Sequence, residues 1–279
     1  MSVVRRLLGA LAVPILASGL LAGCGGNNDP TGAGSAQPSV APDPPKPPAV
    51  SACYNLTVAA ALKETASSAA VPCDSRHTSL TVAVGTFDPL RAGHLLAIGS
   101  AQVQQQIAAA CRRQVDTYVG GSTENQRLSQ VQAVWYSPTA AQGDAGALWY
   151  RCDLVISAGG TGADGGFVAL PTRTRRLLEP HGALDRYGTC GTAAPGAPGF
   201  GRVPCAEHHT WRAKATIALP ASTRYLAKPA GSKAESACRD VASQRAPDIL
   251  KLRWTFEWPT QAQWAGGQRY GLCWLPDKG

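Results

Sequence analysis

Leu250-Lys251-Leu252-Arg253-Trp254-Thr255-Phe256-Glu257-Trp258 alternates large apolar side chains with charged or hydroxyl-bearing ones. A period of two aims Leu250, Leu252, Trp254, Phe256 and Trp258 at a core and the residues between them at water, which predicts a half-buried strand. Pro259-Thr260 ends it, Gly266-Gly267 supplies a turn, and Arg269 to Trp274 returns as a second strand carrying Cys273. The same order stands upstream, where Val131, Ala133 and Trp135 alternate, Pro138-Thr139 interrupts, Gly146 follows and Leu148 to Cys152 returns. Pro138 lies fourteen residues before Cys152, as Pro259 does before Cys273. That agreement in spacing predicts a duplicated unit.

The 279 residues, 44% of them apolar, suffice for one large or two ordinary domains with real cores. Nine cysteines suit an oxidising compartment, and the N-terminus has the features of export. Arg5-Arg6 is a basic region, Leu7 to Leu20 an apolar one broken by Pro14, and Leu21-Ala22-Gly23-Cys24 a small-residue cleavage site. It resembles a bacterial lipobox. Residues 1–23 are then a lipoprotein signal peptide, and Cys24, carrying palmitate, anchors the protein at the outer face of the cell membrane. A plain signal peptide or a membrane helix is the alternative, although the apolar run is short against the roughly 20 residues a span requires.

Residues 24–50 are rich in Pro, Gly and Ala, with Pro42, Pro44, Pro45, Pro47 and Pro48 crowded together, and form a tether that cannot build a core. The first repeat runs over 51–156. Its Leu80, Val82 and Val84 alternate as a strand, and Ser100 caps a helix with Val103, Ile107, Cys111 and Val115 on one side. The second runs over 189–279, with Trp211, Ala213, Ala215, Ile217 and Leu219 on one strand face. There Ser232 and Glu235 form a capping box for a helix bearing Ala234, Cys238 and Val241. Counted from the preceding histidine, the apolar phase of these two strands differs by one residue, which predicts a bulge in one copy. Residues 157–188 connect the repeats and carry the basic run Arg173, Arg175, Arg176. The connector is long for an unstructured link, so a strand at Phe167 to Leu170 is expected to join one of the sheets.

Without Cys24, eight cysteines remain, four per repeat: Cys53, Cys73, Cys111 and Cys152, then Cys190, Cys205, Cys238 and Cys273. Both repeats contain Pro-Cys-x-x-x-His-Thr, at Cys73 with His77 and at Cys205 with His209. A zinc site would need about four ligands, and the cysteines fit two disulfides per repeat instead. The histidine then either hydrogen-bonds backbone beside the first disulfide or contacts a ligand. No free thiolate remains to serve as a nucleophile, no Gly-x-Ser-x-Gly elbow is present, and no dense acidic set marks a glycosidase pair. Gly160-Thr161-Gly162-Ala163-Asp164-Gly165 matches the dinucleotide fingerprint literally, but no helix follows it, which favours an ordinary glycine turn.

From Cys53 to Ile156 seven Lys/Arg balance seven Asp/Glu, whereas from Ser157 onward sixteen face nine. This asymmetry points to an anionic partner such as lipid headgroups or a cell-wall polymer, or to a solvated basic face. No motif supports nucleic-acid binding. Trp264, lying between Pro259 and Gly266, is expected in an exposed turn where it could pair with arginines in binding, while Gln142-Gly143 of the first repeat has no tryptophan at that place.

Several strings resemble the septum formation family of actinobacterial lipoproteins. They are the lipobox at Cys24, Val71-Pro72-Cys73 with His77-Thr78, Trp149 to Leu154, Arg202 to Arg212, and Pro259-Thr260 with Trp264, Gly267, Arg269 and Cys273. His208 departs from the proline of the family pattern. The resemblance implies a connection with cell division and brings no reaction, catalytic residue, metal or cofactor with it.

The expected fold is α+β, with two related disulfide-stapled units, each a small, mainly antiparallel sheet with one packed helix. A helix lying on a sheet brings its cysteine near the last strand, which predicts Cys111–Cys152 and Cys238–Cys273, with Cys53–Cys73 and Cys190–Cys205 closing short local loops. The expected function is a non-catalytic, lipid-anchored envelope protein that binds a septal or envelope protein or an anionic wall polymer. The alternative is an envelope hydrolase or transferase using His77, His209 or Glu207 as acid/base groups.

Overall fold

The computed structural model describes residues 43–160, 165–220, 224–225, 232–245 and 248–277. The expected signal peptide, Cys24 and most of the tether lie outside the described residues, as do 161–164 of the glycine-rich match. No helix among the described residues is long and apolar enough to cross a membrane.

In the first repeat the chain forms β1 (Cys53–Tyr54), α1 (Val58–Ala61), β2 (Ala70–Val71), β3 (Ser79–Thr86), the hairpin β4 (Leu90–Arg91) and β5 (His94–Leu95), and α2 (Ala101–Val119). After these come α3 (Thr123–Arg127), β6 (Val131–Tyr136), α4 (Ala140–Asp144) and β7 (Trp149–Gly159). The connector adds β8 (Gly166–Phe167), which pairs with β7 and so joins the first sheet as expected, although the strand spans two residues and not Phe167 to Leu170. The connector also holds α5 (Ala183–Tyr187), and the second repeat comprises β9 (Thr189–Gly191), β10 (Arg202–Pro204), β11 (Trp211–Ala218), α6 (Lys233–Arg245), β12 (Thr255–Glu257), α7 (Gln261–Ala265) and β13 (Tyr270–Pro276).

The duplication is topological. The first sheet runs β2-β1-β3-β7-β6 and the second β10-β9-β11-β13-β12, antiparallel throughout. Even the register repeats, with Trp135 opposite Cys152 and Phe256 opposite Cys273. Disulfides join Cys53–Cys73, Cys111–Cys152, Cys190–Cys205 and Cys238–Cys273, the pairs that the element order predicts.

Each helix lies where its caps and apolar stripe put it. Ser100 accepts from Val103 N–H and starts α2, which buries Val103, Ile107, Cys111, Val115 and Val119. Ser232 and Glu235 exchange side-chain to backbone bonds ahead of α6, which buries Ala234, Cys238 and Ala242. A four-residue spacing along these stripes keeps one face on the sheet.

Three expectations are corrected by the strands. First, the strand expected from Leu250 is shorter: only Thr255–Glu257 pairs, because Asp248 Oδ1 accepts from Leu250 N–H at 2.9 Å and holds Ile249–Lys251 in a 3-10 turn. Leu250 is 92% exposed, whereas Leu252, Trp254 and Trp258 pack partly buried against the α6 cluster around Phe256. Second, both copies carry a bulge, at the same place, between Thr81 and Ala83 and between Ala213 and Ala215. Third, the extra residue turns the following side chains to the opposite face. Trp211 and Ala213 therefore pack with Trp274, while Ala215 and Leu219 pack on α6, and the five apolar residues of β11 do not share one face.

The repeats meet along a second set of bonds. Gln130 N–H donates to Tyr187 O at 2.8 Å and Thr189 N–H to Leu128 O at 2.7 Å around the Ser129–Gly188 bridge. Gly159, at φ +88°, ends β7 so close to β10 that a Cβ there would lie 1.7 Å from Arg202 O. No other residue type fits that approach.

Candidate functional site

The two Pro-Cys-x-x-x-His-Thr loops fold alike. His77 Nδ1 lies 2.8 Å from Ser75 O and His209 Nδ1 2.7 Å from Glu207 O, so each Nδ1–H donates to a carbonyl two residues back. Both rings are buried. The adjoining threonines lock the loops to the chain just after β1 and β9: Leu56 N–H donates to Thr78 Oγ1 at 2.8 Å, and Thr210 Oγ1 donates to Thr192 O at 2.7 Å. A ligating atom of His209 lies within 4.8 Å of both Cys190 and Cys205 sulfurs. Those sulfurs are bonded to each other and carry no thiolate charge, so the trio as folded is a packed loop around a disulfide.

Of the basic run, Arg173 and Arg175 are exposed, and Arg175 stacks over Tyr118 at 5.0 Å. Arg176, at φ +60°, pairs with Glu179, which offsets part of the patch. Leu177 and Leu178 are buried against Val115 and Val119 and tie the run to the end of α2.

Trp264 is not an exposed turn residue. It sits in α7, 7% exposed, with Arg269 4.0 Å over its ring and Arg269 Nη1 donating to Trp264 O at 2.6 Å. The helix exists because Thr260 and Gln263 form a capping box, and Thr139 and Gln142 form the same box on α4. The Thr-x-x-Gln string after each proline is the sequence signal for these short helices. At the place of Trp264 the first repeat has Gly143, whose Cβ would lie 2.2 Å from Ile98 Cδ1. Ile98, from the loop ahead of α2, crowds the place that a side chain on Gly143 would take.

Under the first sheet, on the face away from α2, lies a buried polar cluster. Arg151 Nη2 donates to Asp153 Oδ2 at 2.7 Å, Ser79 Oγ donates to the same oxygen at 3.1 Å, and Thr81 Oγ1 donates to Oδ1 at 2.8 Å. The Arg151 guanidinium lies 4.1 Å from the Tyr54 ring and 4.5 Å from the Tyr136 ring. Burial pushes the Asp153 carboxyl above the usual carboxylate range, opposed by Arg151 and the two hydroxyls. Burial, with the charge of Asp153, pushes the Tyr136 phenol up to about 12. Having no opening to solvent at these side chains, the cluster holds the strand faces together and offers no surface to a ligand.

A groove between the repeats was not legible in the sequence. A cavity of 700 Å³ lies among α2, β6 and the turn before β13, lined by Arg112, Asp116, Arg127, Gln263 and Arg269 among others. Arg112 Nη1 reaches Gly266 O across it at 3.4 Å, and Arg127 stacks 4.5 Å over Tyr270. Burial raises the Asp116 carboxyl, with Arg112 opposing. An adjoining cavity of 170 Å³ is lined by Gln130 and Trp258, whose buried Nε2 and Nε1 donors have no partner among the described residues. Cationic and amide side chains converging on a groove can bind an anionic or peptide-like ligand. No one segment signals it, because its residues come from both repeats.

No curated protein and no solved structure matches the chain. A family model described as Septum formation matches residues 50–273, across both sheets and the groove between them, and the chain belongs to that family.

Proposed function

We propose that this is a non-catalytic cell-envelope protein, held by a lipid on Cys24, that acts in septum formation or cell-wall assembly by binding a protein or anionic envelope partner. The observation that carries this reading is the twin placement of His77 and His209: each is buried, with Nδ1–H committed to a backbone carbonyl. Acid/base work requires a group within reach of a substrate, and these rings stabilise loops beside disulfides instead. Family membership supports a link to septation. The excess of cations after Ser157, with Arg173 and Arg175 exposed, supports an anionic surface as one partner.

Two variants test the reading. Cys24→Ala is expected to move the protein out of the membrane fraction; retention as tight as wild type overturns lipid anchoring. With Arg173 and Arg175 replaced by Gln, association with purified wall and anionic vesicles should weaken, with a lower salt dependence. Unchanged association overturns the basic patch.

A further inference from the structure

Strand β6 ends the first sheet, so one side of its backbone has no neighbouring strand. Register decides which residues face that side. Val131 stands opposite Ile156, and Ser157 N–H donates to Gln130 O at 2.9 Å. Antiparallel alternation then turns the polar backbone of Gln132, Val134 and Tyr136 toward β7, and that of Val131, Ala133, Trp135 and Ser137 outward. Both ends of this outward row are covered. Ser137 N–H donates to Glu64 O at 2.9 Å, Val131 N–H donates to Ser129 Oγ at 3.3 Å, and Ser129 bridges Gly188. Between them, the N–H and C=O groups of Ala133 and Trp135 meet no hydrogen-bond partner among the described residues. The strand reads Val-Gln-Ala-Val-Trp-Tyr, with none of the prolines or charges that blunt an edge against pairing.

Two cavities flank the open stretch, and both reach Gln132, Ala133 and Trp135. One, of 480 Å³, is lined by Val58, Ala61, Leu62, Val134 and Phe167 and is mainly apolar. The other is the 700 Å³ groove, where Arg112, Arg127 and Arg269 outnumber the single carboxylate of Asp116. A strand added beside β6 sends alternate side chains to opposite faces, one set toward each cavity.

Resting on the binding-protein reading, we infer that the open edge of β6 takes an extended peptide of a partner protein as a further strand. Its acidic side chains alternate with apolar ones, the acids facing Arg112 and Arg127 and the apolar set facing Val58 and Phe167. Main-chain bonds to Ala133 and Trp135 supply affinity, and the two cavities supply the alternating preference. A second copy is disfavoured as occupant, because two β6 edges paired about a twofold axis would place like arginine-lined grooves on the same face.

The experiment is anisotropy titration of a labelled, capped Val-Asp-Val-Glu-Val-Asp peptide with the full-length protein. Saturable binding is expected, weakened by roughly tenfold or more when lysines replace the acids. N-methylation of one alternate set of peptide nitrogens should abolish binding while methylation of the other set leaves it, since only one set faces β6. Ala133→Pro removes an N–H that has no partner among the described residues, so it should abolish binding without loss of thermal stability. The inference is overturned by no saturation up to about 1 mM, by equal effects of the two methylated peptides, or by binding retained in folded Ala133→Pro. Concentration-dependent dimerisation that the peptide displaces would assign the edge to a second copy and also overturn it. Should Ala133→Pro fail to fold, the methylated pair on the unaltered protein decides. Loss of the peptide result with envelope association intact would sink this edge alone.

Discussion

Arg151 and Asp153 form a fully buried ion pair at 2.7 Å in the first repeat, and the matching positions of the second repeat hold Leu272 and Trp274. One copy of the same topology thus fills its outer sheet face with a charged cluster and the other with apolar side chains. A buried pair is costly to break and less costly to replace, because a lone charge left behind has no water to solvate it.

Arg151→Met or Asp153→Leu alone should therefore destabilise by about 3–5 kcal/mol. The double variant should cost less than either single change, as the second repeat's apolar filling suggests. Denaturant unfolding of the three variants measures this, and additive losses would show that the pair is not coupled.

Trp264→Ala should cost about 3–5 kcal/mol through the cavity it leaves and the lost stacking of Arg269. Its effect on partner binding should appear only as far as the second repeat loosens, so stability and binding should fall together in thermal melts and binding assays. Gly143→Trp in the first repeat should destabilise unless Ile98→Ala accompanies it, since the Ile98 end group stands where the new side chain must begin.

Asp277 clasps the end of β13 to β11, accepting from Lys214 Nζ at 2.7 Å with Arg212 at 3.8 Å. Burial alone would raise its carboxyl, but the Lys214 bond and charge, with Arg212 and His209, outweigh burial and hold it below the usual range. A carboxyl depressed on folding contributes stability that is present above its unfolded value, about 3.9, and is lost as pH falls through the folded one. Asp277→Asn should accordingly flatten the acid limb of the stability profile while lowering stability at neutral pH. Melting temperatures across pH 2 to about 7 check the sign.

Spacing made the duplication legible: Pro138 and Pro259 each stand fourteen residues before a cysteine, the Pro-Cys-x-x-x-His-Thr string recurs, and four cysteines fall in each copy, while local rules of capping and alternation placed α2, α6 and the strands around Cys152 and Cys273. Disulfide pairing followed too, because in each repeat the helix cysteine lies over the last strand and the other pair closes a short local loop. Local pattern could not see across strands. The equal bulges at Thr81/Ala83 and Ala213/Ala215 swap the faces of β3 and β11, so the residues that share a face are set by pairing register and not by chain periodicity. Ser79 and Thr81 alternate with Leu80 and Val82 along the chain, and only the neighbouring strand brings Asp153 to accept their hydroxyls. Trp264 read as exposed because a turn was expected where a capping box builds a helix. The groove exists only where residues of both repeats meet, and the open edge of β6 only where strand order leaves it last in the first sheet, because burial, charge and unpaired backbone at Ala133 and Trp135 are set by packing between segments far apart in the chain.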